Sequence, residues 1–392
     1  VRALHVLSAE VPVKTKAELK PIADQVVVIT GASSGIGLAT AQLAARRGAR
    51  VVLSGWDEEA LERAAAELRA EGHRAVAAPA DVTDAAALHR VADMAIASYG
   101  RIDAWINNAG IHIFGEVMET SEEDMRRIVD VNYWGVVHGS LAAIPHLARS
   151  GGALLNMASV LSSRSVPLQG IYTASKHAVK AITDALRVEL EHRGAPIAVT
   201  MIAPSAIHTP IVEHSKNLRH ERAQLPFPLY DPEVAARAIV RACEKPRREV
   251  IIGGAGFVAV TAEKLFPNLT DRMMELFFFR MQRARGEHRE VDALHAPPDD
   301  PTPRVRSEDR RLVLRHSVYT WATFHPLLAA LGLGGIAWWA RSRLQRRRGV
   351  SARGLRSSFD HVARTSTSRS TSDGDHRRLE RHRAGDGVPS GA

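Results

Sequence analysis

The chain has 392 residues, of which 45% are hydrophobic and 24% charged, with a formal net charge of +9. That composition is ordinary for a globular protein with a large core, and the single cysteine, Cys243, argues against an internal disulfide or a multi-cysteine metal site. No metal is expected, and a reducing compartment suits the cysteine count. The positive charge sits mainly in the arginine-rich last part of the chain, without interleaved aromatic residues, so nucleic acid is not an expected partner.

No apolar run precedes Asp24, so residues 1–24 read as an N-terminal extension without a secretory signal. From 25 to about 255, short β-branched runs alternate with longer alanine-rich helical patterns. The strands predicted are 26–30 (VVVIT), 49–55, 73–81, 102–110, 152–159, 197–204 and 248–254. Several are apolar at consecutive positions, as strands buried on both faces of a parallel sheet are. Helical segments such as EEALERAAAELRAEG carry apolar residues at three- and four-residue spacing. Alternating strands and helices imply an α/β fold, a Rossmann-type doubly wound parallel sheet.

Between the first strand and the first helix lie Gly31, Gly35 and Gly37. A tight turn there lets a pyrophosphate approach backbone amides at a helix N-terminus, although such a turn can also be purely structural. After the second strand come Gly55, Trp56 and Asp57. An acid at this point would bond the cofactor's ribose 2′-hydroxyl and favour NAD, but Asp57 is better explained as the N-cap of the following helix. With no acid at the strand end, NADP(H) is favoured over NAD(H), although no basic residue stands there either. Trp56 either stacks on the adenine or covers the strand end. Further along, Tyr172 and Lys176 fall on one face of a helix, one turn apart. Taken alone, they are either an acid with its tuning charge or the polar edge of a packed helix.

In order, the chain carries TGASSGIG (30–37), DV (81–82), NNAG (107–110), Asn132 within VDVNYWG, Ser159 within NMASV and YTASK (172–176). Over residues 25 to about 255 this set resembles the short-chain dehydrogenase/reductase family. The resemblance implies a catalytic group of Asn132, Ser159, Tyr172 and Lys176. Tyr172 would exchange a proton with the substrate oxygen, Lys176 would lower the tyrosine pKa and hold the nicotinamide ribose, and Ser159 would orient the substrate. Asn132 would extend a proton relay through a water. The cofactor site so implied comprises Gly31, Ser33, Ser34, Gly35, Ile36, Gly37, Trp56, Asp81, Val82, Asn108, Ala109, Gly110, Tyr172, Lys176, Pro204 and Thr209. Asp81 would hold the adenine, Thr209 the carboxamide, and Asn107 would brace the central sheet and line the site. Ser205 departs from the family pattern, which has glycine there, and bears on the hinge of the substrate loop.

The implied activity is NAD(P)-dependent interconversion of a secondary alcohol and a ketone. Leu161, Val166, Leu168, Ile211, Val212, Leu225, Phe227 and Leu229 make a hydrophobic alcohol or ketone the expected substrate. A homo-oligomer is expected by the same resemblance, as is a cytoplasmic location. A non-catalytic scaffold or cofactor sensor of the same fold is the alternative function.

Beyond the catalytic domain, 256–290 reads as an amphipathic helical extension and 291–316 as a proline-rich linker. Residues 317–341 read as a hydrophobic helix, and 318–340 contains no Asp, Glu, Lys or Arg. It is expected to attach to the cytoplasmic face of a membrane, by lying in the interface or re-entering, with a buried or dimer-contact helix as the alternative. Residues 342–392 read as a disordered Arg/Ser-rich tail.

Overall fold

The computed structural model describes residues 17–284, 292–298, 300–309, 311–325 and 328–329. Seven strands form one parallel sheet: β1 (Val26–Thr30), β2 (Arg50–Gly55), β3 (Arg74–Pro79), β4 (Ala104–Asn107), β5 (Gly152–Met157), β6 (Ile197–Pro204) and β7 (Glu249–Ile252). Their spatial order is β7-β6-β5-β4-β1-β2-β3. All seven predicted strands are present, most of them shorter than the apolar runs suggested. β1 and β5 are buried at every position, which explains why their sequences are mainly apolar.

Helices cover both faces: α1 (Gly35–Arg46), α2 (Glu58–Ala70), α3 (Ala85–Tyr99), α4 (Glu122–Val129), α5 (Gly135–Ser150), α6 (Gly170–His192) and α7 (Pro232–Glu244). Side chains fix several of their starts. Asp57, Asp84, Ser121 and Asp231 each accept a backbone N–H of the first turn. Asp57 accepts Ala60 N–H at 2.9 Å, so the capping reading holds. α4 and α5 are joined through a single widened π turn, Asp130–Trp134, which carries Asn132 into the interior.

The strand order reverses between β1 and β4, which pair in parallel through Val27–Ala104, Val28–Trp105 and Ile29–Ile106. Ligands of open α/β sheets bind at the carboxyl ends of such a pair. Here those ends carry the glycine turn and the Asn107–Gly110 segment. Beneath them Asn107 is buried, accepting from Trp105 Nε1 at 2.8 Å and donating to Asn156 Oδ1 at 2.9 Å and Ser140 Oγ at 3.1 Å.

After β7 the chain continues in α8 (Gly254–Leu265), α9 (Pro267–Met273), a π turn (Met274–Phe278) and α10 (Phe279–Met281). The described part of the 256–290 segment, 256–284, is largely helical. The linker reading of 291–316 is different in the structure, because its described residues lie against the Rossmann unit. Arg306 forms a two-bond pair with Asp231, at 2.9 and 3.0 Å. Val313 and Leu314 pair with Leu229 and Tyr230.

The predicted membrane helix lies mostly outside the described residues. Its first part, α11 (Val318–Phe324), packs on the same unit. Thr320 Oγ1 accepts Gly253 N–H at 3.0 Å, Tyr319 stacks on Phe257, and Phe324 sits beside the guanidinium groups of Arg241 and Arg247. Among the described residues no helix is long and apolar enough to cross a membrane. The tail, 342–392, also lies outside them.

Candidate active site

One cavity of about 430 Å³ runs from the end of β2 to the start of α6. Of the residues that the sequence assigns to the site, all line this cavity except Gly37 and Asn132. Asn107 does not line it either: its side chain is fully engaged below, and the wall is formed by Asn108, Ala109 and Gly110.

The glycine turn is held against the Asn108 segment. Thr30 Oγ1 accepts the N–H groups of Asn108 and Ala109 at 3.0 and 3.1 Å. Asn108 Nδ2 donates back to the carbonyls of Thr30 and Gly31 at 2.9 and 3.0 Å. A Cβ on Gly37 would stand 2.1 Å from Gly31 O, and one on Gly31 would stand 2.7 Å from Ala109 Cα. Gly37 is therefore required for close approach, not as a wall of the cavity. Among the described residues the first amides of α1 at Ile36 and Gly37 have no backbone acceptor behind them, which leaves two N–H donors for an anion. This cradle fits a dinucleotide pyrophosphate.

Where the cavity reaches the end of β2 stand Trp56, Asp81 and Arg127. Arg127 was not expected from the sequence. Its guanidinium lies 5.4 Å from the Trp56 ring centroid and donates to Asp81 Oδ2 at 3.2 Å and to Leu294 O at 2.9 Å. Burial works to raise the Asp81 carboxyl, but bonds from Thr83 and the charge of Arg127 hold it below its ordinary value.

At the other end Tyr172 and Lys176 share a face of α6, as their spacing requires. Ser159 lines the same end of the cavity, where its Oγ accepts Leu161 N–H at 3.1 Å. Lys176 Nζ lies 5.7 Å from the Tyr172 ring centroid and donates to Met157 O at 3.0 Å. Burial pushes Tyr172 up to about 12, with the Ser159 bond opposing, and pushes Lys176 down to about 8. On these groups alone, burial outweighs any lowering of the phenol by the lysine. Lys180 pairs instead with Asp184 at 2.7 Å, as an ordinary helix-surface residue.

Asn132 is fully buried behind the wall. Its Oδ1 accepts Ile111 N–H at 2.9 Å, and its Nδ2 donates to Ile111 O and Ser175 Oγ. A Cβ on Gly110 would stand 3.2 Å from Asn132 Oδ1 and 3.5 Å from Lys176 Nζ, so glycine is what lets the two approach.

Thr209 and Pro204 also line the cavity. Ser205 lacks a left-handed backbone, and its hydroxyl donates to Ile252 O at 2.6 Å. The special backbone is instead at Gly253, with φ +99°, where a Cβ would stand 2.0 Å from Ser205 Oγ. The substitution of serine for glycine is thus matched by a glycine on the neighbouring strand end.

Another part of the lining is apolar. Leu161, Val166, Ile211, Leu225 and Phe227 line it as expected, whereas Leu168 and Leu229 are buried away from it, and Val212 does not reach it. Ala255, Gly256, Ala259, Met274, Phe278 and Met281 complete it from the C-terminal helices. No local signal could have found them, because their positions depend on how the extension folds back.

Residues 25–219 match the family model for short chain dehydrogenase. The chain is 40% identical over 336 residues to the uncharacterized oxidoreductase YxnA of Bacillus subtilis, covering 84% of this chain and 94% of that one. That span exceeds what residues 1–255 can supply, so it takes in part of the C-terminal extension. A crystal structure of a short-chain dehydrogenase/reductase from Burkholderia phymatum, in complex with NAD, superposes with a TM-score of 0.59 at 28% identity. It matches 64% of this chain and 97% of its own length. An alcohol dehydrogenase from Thermococcus sibiricus, complexed with 5-hydroxy-NADP, gives a TM-score of 0.51 at 28% identity over 58% of this chain and 95% of its own. The seven-stranded sheet, the glycine cradle and the serine–tyrosine–lysine cluster agree with these matches: the chain is an oxidoreductase and belongs to the short-chain dehydrogenase/reductase family.

Proposed function

We propose that the protein interconverts a hydrophobic secondary alcohol and its ketone with NADP(H). The observation that carries this reading is the cluster of Ser159, Tyr172 and Lys176 at one end of a cavity whose other end is a dinucleotide cradle. The nicotinamide ring, when bound, supplies or accepts the hydride.

In reduction the Tyr172 hydroxyl donates its proton to the carbonyl oxygen; in oxidation it takes the proton of the alcohol. A hydroxyl held up to about 12 is a competent proton donor at neutral pH but a poor base, so oxidation is favoured by alkaline conditions. Ser159, at the same end of the cavity as Tyr172, shares the substrate oxygen and fixes its orientation. Lys176, anchored through Met157 O, places an ammonium donor beside the nicotinamide ribose. Asn132 holds the backbone of Ile111 and, with it, the wall next to Lys176. The NADP(H) preference is supported by the capping role of Asp57, which leaves no free acid at the end of β2.

The exposed Trp134 and Leu141 around α5, with Val188 on α6, support a homo-oligomer through these helices. A panel of aliphatic and aromatic alcohols and ketones, assayed by nicotinamide absorbance with both cofactors in parallel, tests the function. Absence of turnover by the wild-type protein, alongside retained cofactor binding, would favour the sensor or scaffold reading.

A further inference from the structure

The described residues of 292–309 are attached to both walls of the cavity where it reaches the end of β2. On one side Leu294 is fully buried beside Ile113 and Ile128, and its carbonyl oxygen accepts Arg127 Nε at 2.9 Å. Next to it Asp292 pairs with Lys216 at 3.0 Å, and His295 Nε2 lies 3.3 Å from Asp124 Oδ1. On the other side Arg304 forms a parallel bridge with Ser34, and its carbonyl oxygen accepts Gly35 N–H at 2.9 Å. Beyond it Glu213 accepts the Ser307 hydroxyl and Glu308 N–H, and Arg306 holds Asp231. Between these attachments Ala293, Pro298, Asp300 and Thr302 line the same cavity as Ser34 and Trp56.

Two features make this segment a cover and not a plug. Arg304 takes the Gly35 amide but leaves the next two, at Ile36 and Gly37, without a backbone acceptor among the described residues. Asp300 is the one carboxylate that the segment's described residues bring to the lining, and Arg304 pairs with it as well as with Glu308. An anion at the free amides therefore meets no unpaired negative charge from above.

We propose that 292–309 is a strap over the bound dinucleotide, which lies between the strap and the glycine turn and enters or leaves only when the strap's attachments let go. The proposal rests on the cofactor reading above, in which the amides of Ile36 and Gly37 hold the pyrophosphate. Apart from Leu294 and the Arg306–Asp231 pair, the attachments are single contacts, several at partly exposed side chains. Each is weak alone, so the strap can open while the sheet stays folded.

The test follows NADPH and NADH binding to the full chain by stopped-flow nicotinamide fluorescence, in the wild-type protein, Leu294→Ala and Arg306→Ala. Neither side chain lines the cavity, and Leu294→Ala keeps the carbonyl that holds Arg127. With cofactor in excess, neither rate constant depends on the amount of folded protein. Gly72→Ala, far from the strap in its surroundings, controls for a general loss of stability. Opening that precedes both entry and exit scales the two rates together. We expect association and dissociation each to rise by about 10-fold in either strap variant, with the dissociation constant moving less than about threefold. Gly72→Ala should leave both rates as they are. Unchanged rates in the strap variants, or an equal rise in Gly72→Ala, would overturn the strap. Faster association with unchanged dissociation would overturn it too, because the segment would then compete for the site. Binding of neither dinucleotide by the wild-type protein removes the cofactor reading beneath the strap, whereas normal binding that ignores both variants removes the strap alone.

Discussion

Lys176 Nζ donates to the carbonyl oxygen of Met157 over 3.0 Å, tying α6 to the last residue of β5, two positions before Ser159. The bond fixes the lysine within the same few ångströms as the serine and the tyrosine. It also holds an ammonium in a place where burial disfavours charge, which is why its pKa falls from 10.5 to about 8.

This shift has a pH signature. Below about 8 the lysine is protonated both folded and unfolded, and the native state carries the full burial penalty. Between about 8 and 10.5 the native state releases its proton first, so the unfolded chain binds more protons and stability rises with pH. Relative to Lys176→Met, the wild-type protein should gain up to about 3 kcal/mol between pH 7 and pH 10.5 in urea unfolding. A difference that stays flat across that range would contradict the burial of a charge here.

Tyr172→Phe should lower turnover by at least about 100-fold while leaving nicotinamide fluorescence on binding unchanged. Ser159→Ala removes the one bond that opposes the rise of the tyrosine pKa. Its residual alcohol oxidation should therefore reach its alkaline rise at higher pH than the wild-type protein, as read from kcat/KM against pH.

Gly37 and Gly72 differ in what surrounds them. A Cβ on Gly37 would stand 2.1 Å from Gly31 O and 2.6 Å from Asn108 Nδ2, whereas one on Gly72 would meet nothing within 4 Å. Gly37→Ala should abolish cofactor binding by titration calorimetry. Gly72→Ala, with φ +85° as its only difficulty, should bind normally and lose roughly 1–2 kcal/mol of stability.

Arg306 joins the 300–309 segment to the start of α7, where Asp231 also caps the helix by accepting Glu233 N–H at 2.9 Å. Because Asp231 is buried, the two-bond pair should contribute more than a surface ion pair. Arg306→Ala should cost about 1–2 kcal/mol in urea unfolding, and Arg306→Lys should restore less than half of that, because an ammonium cannot match both oxygens. Equal stability of all three proteins would show that the segment is not held by this contact.

The sequence by itself determined the sheet, the glycine turn and the spacing of Tyr172 and Lys176. Each depends on local physics: β-branched runs for buried strands, small residues where backbones nearly touch, and one helical turn between two groups that share a face. Gly37 and Gly110 were legible for that reason, although what they make room for is Gly31 and Asn108 in one case, and Asn132 and Lys176 in the other. Tertiary structure decided what depends on distant parts of the chain meeting. Gln169 bonds Gln282 across 113 positions, joining the start of α6 to the C-terminal helices. Ser205 is accommodated by Gly253 on the neighbouring strand end. The apolar face of the C-terminal helices was visible as a pattern. Only the fold showed that Met274, Phe278 and Met281 line the cavity while Leu269 and Phe277 remain exposed, because a hydrophobic pattern says that a surface will be covered and not by what.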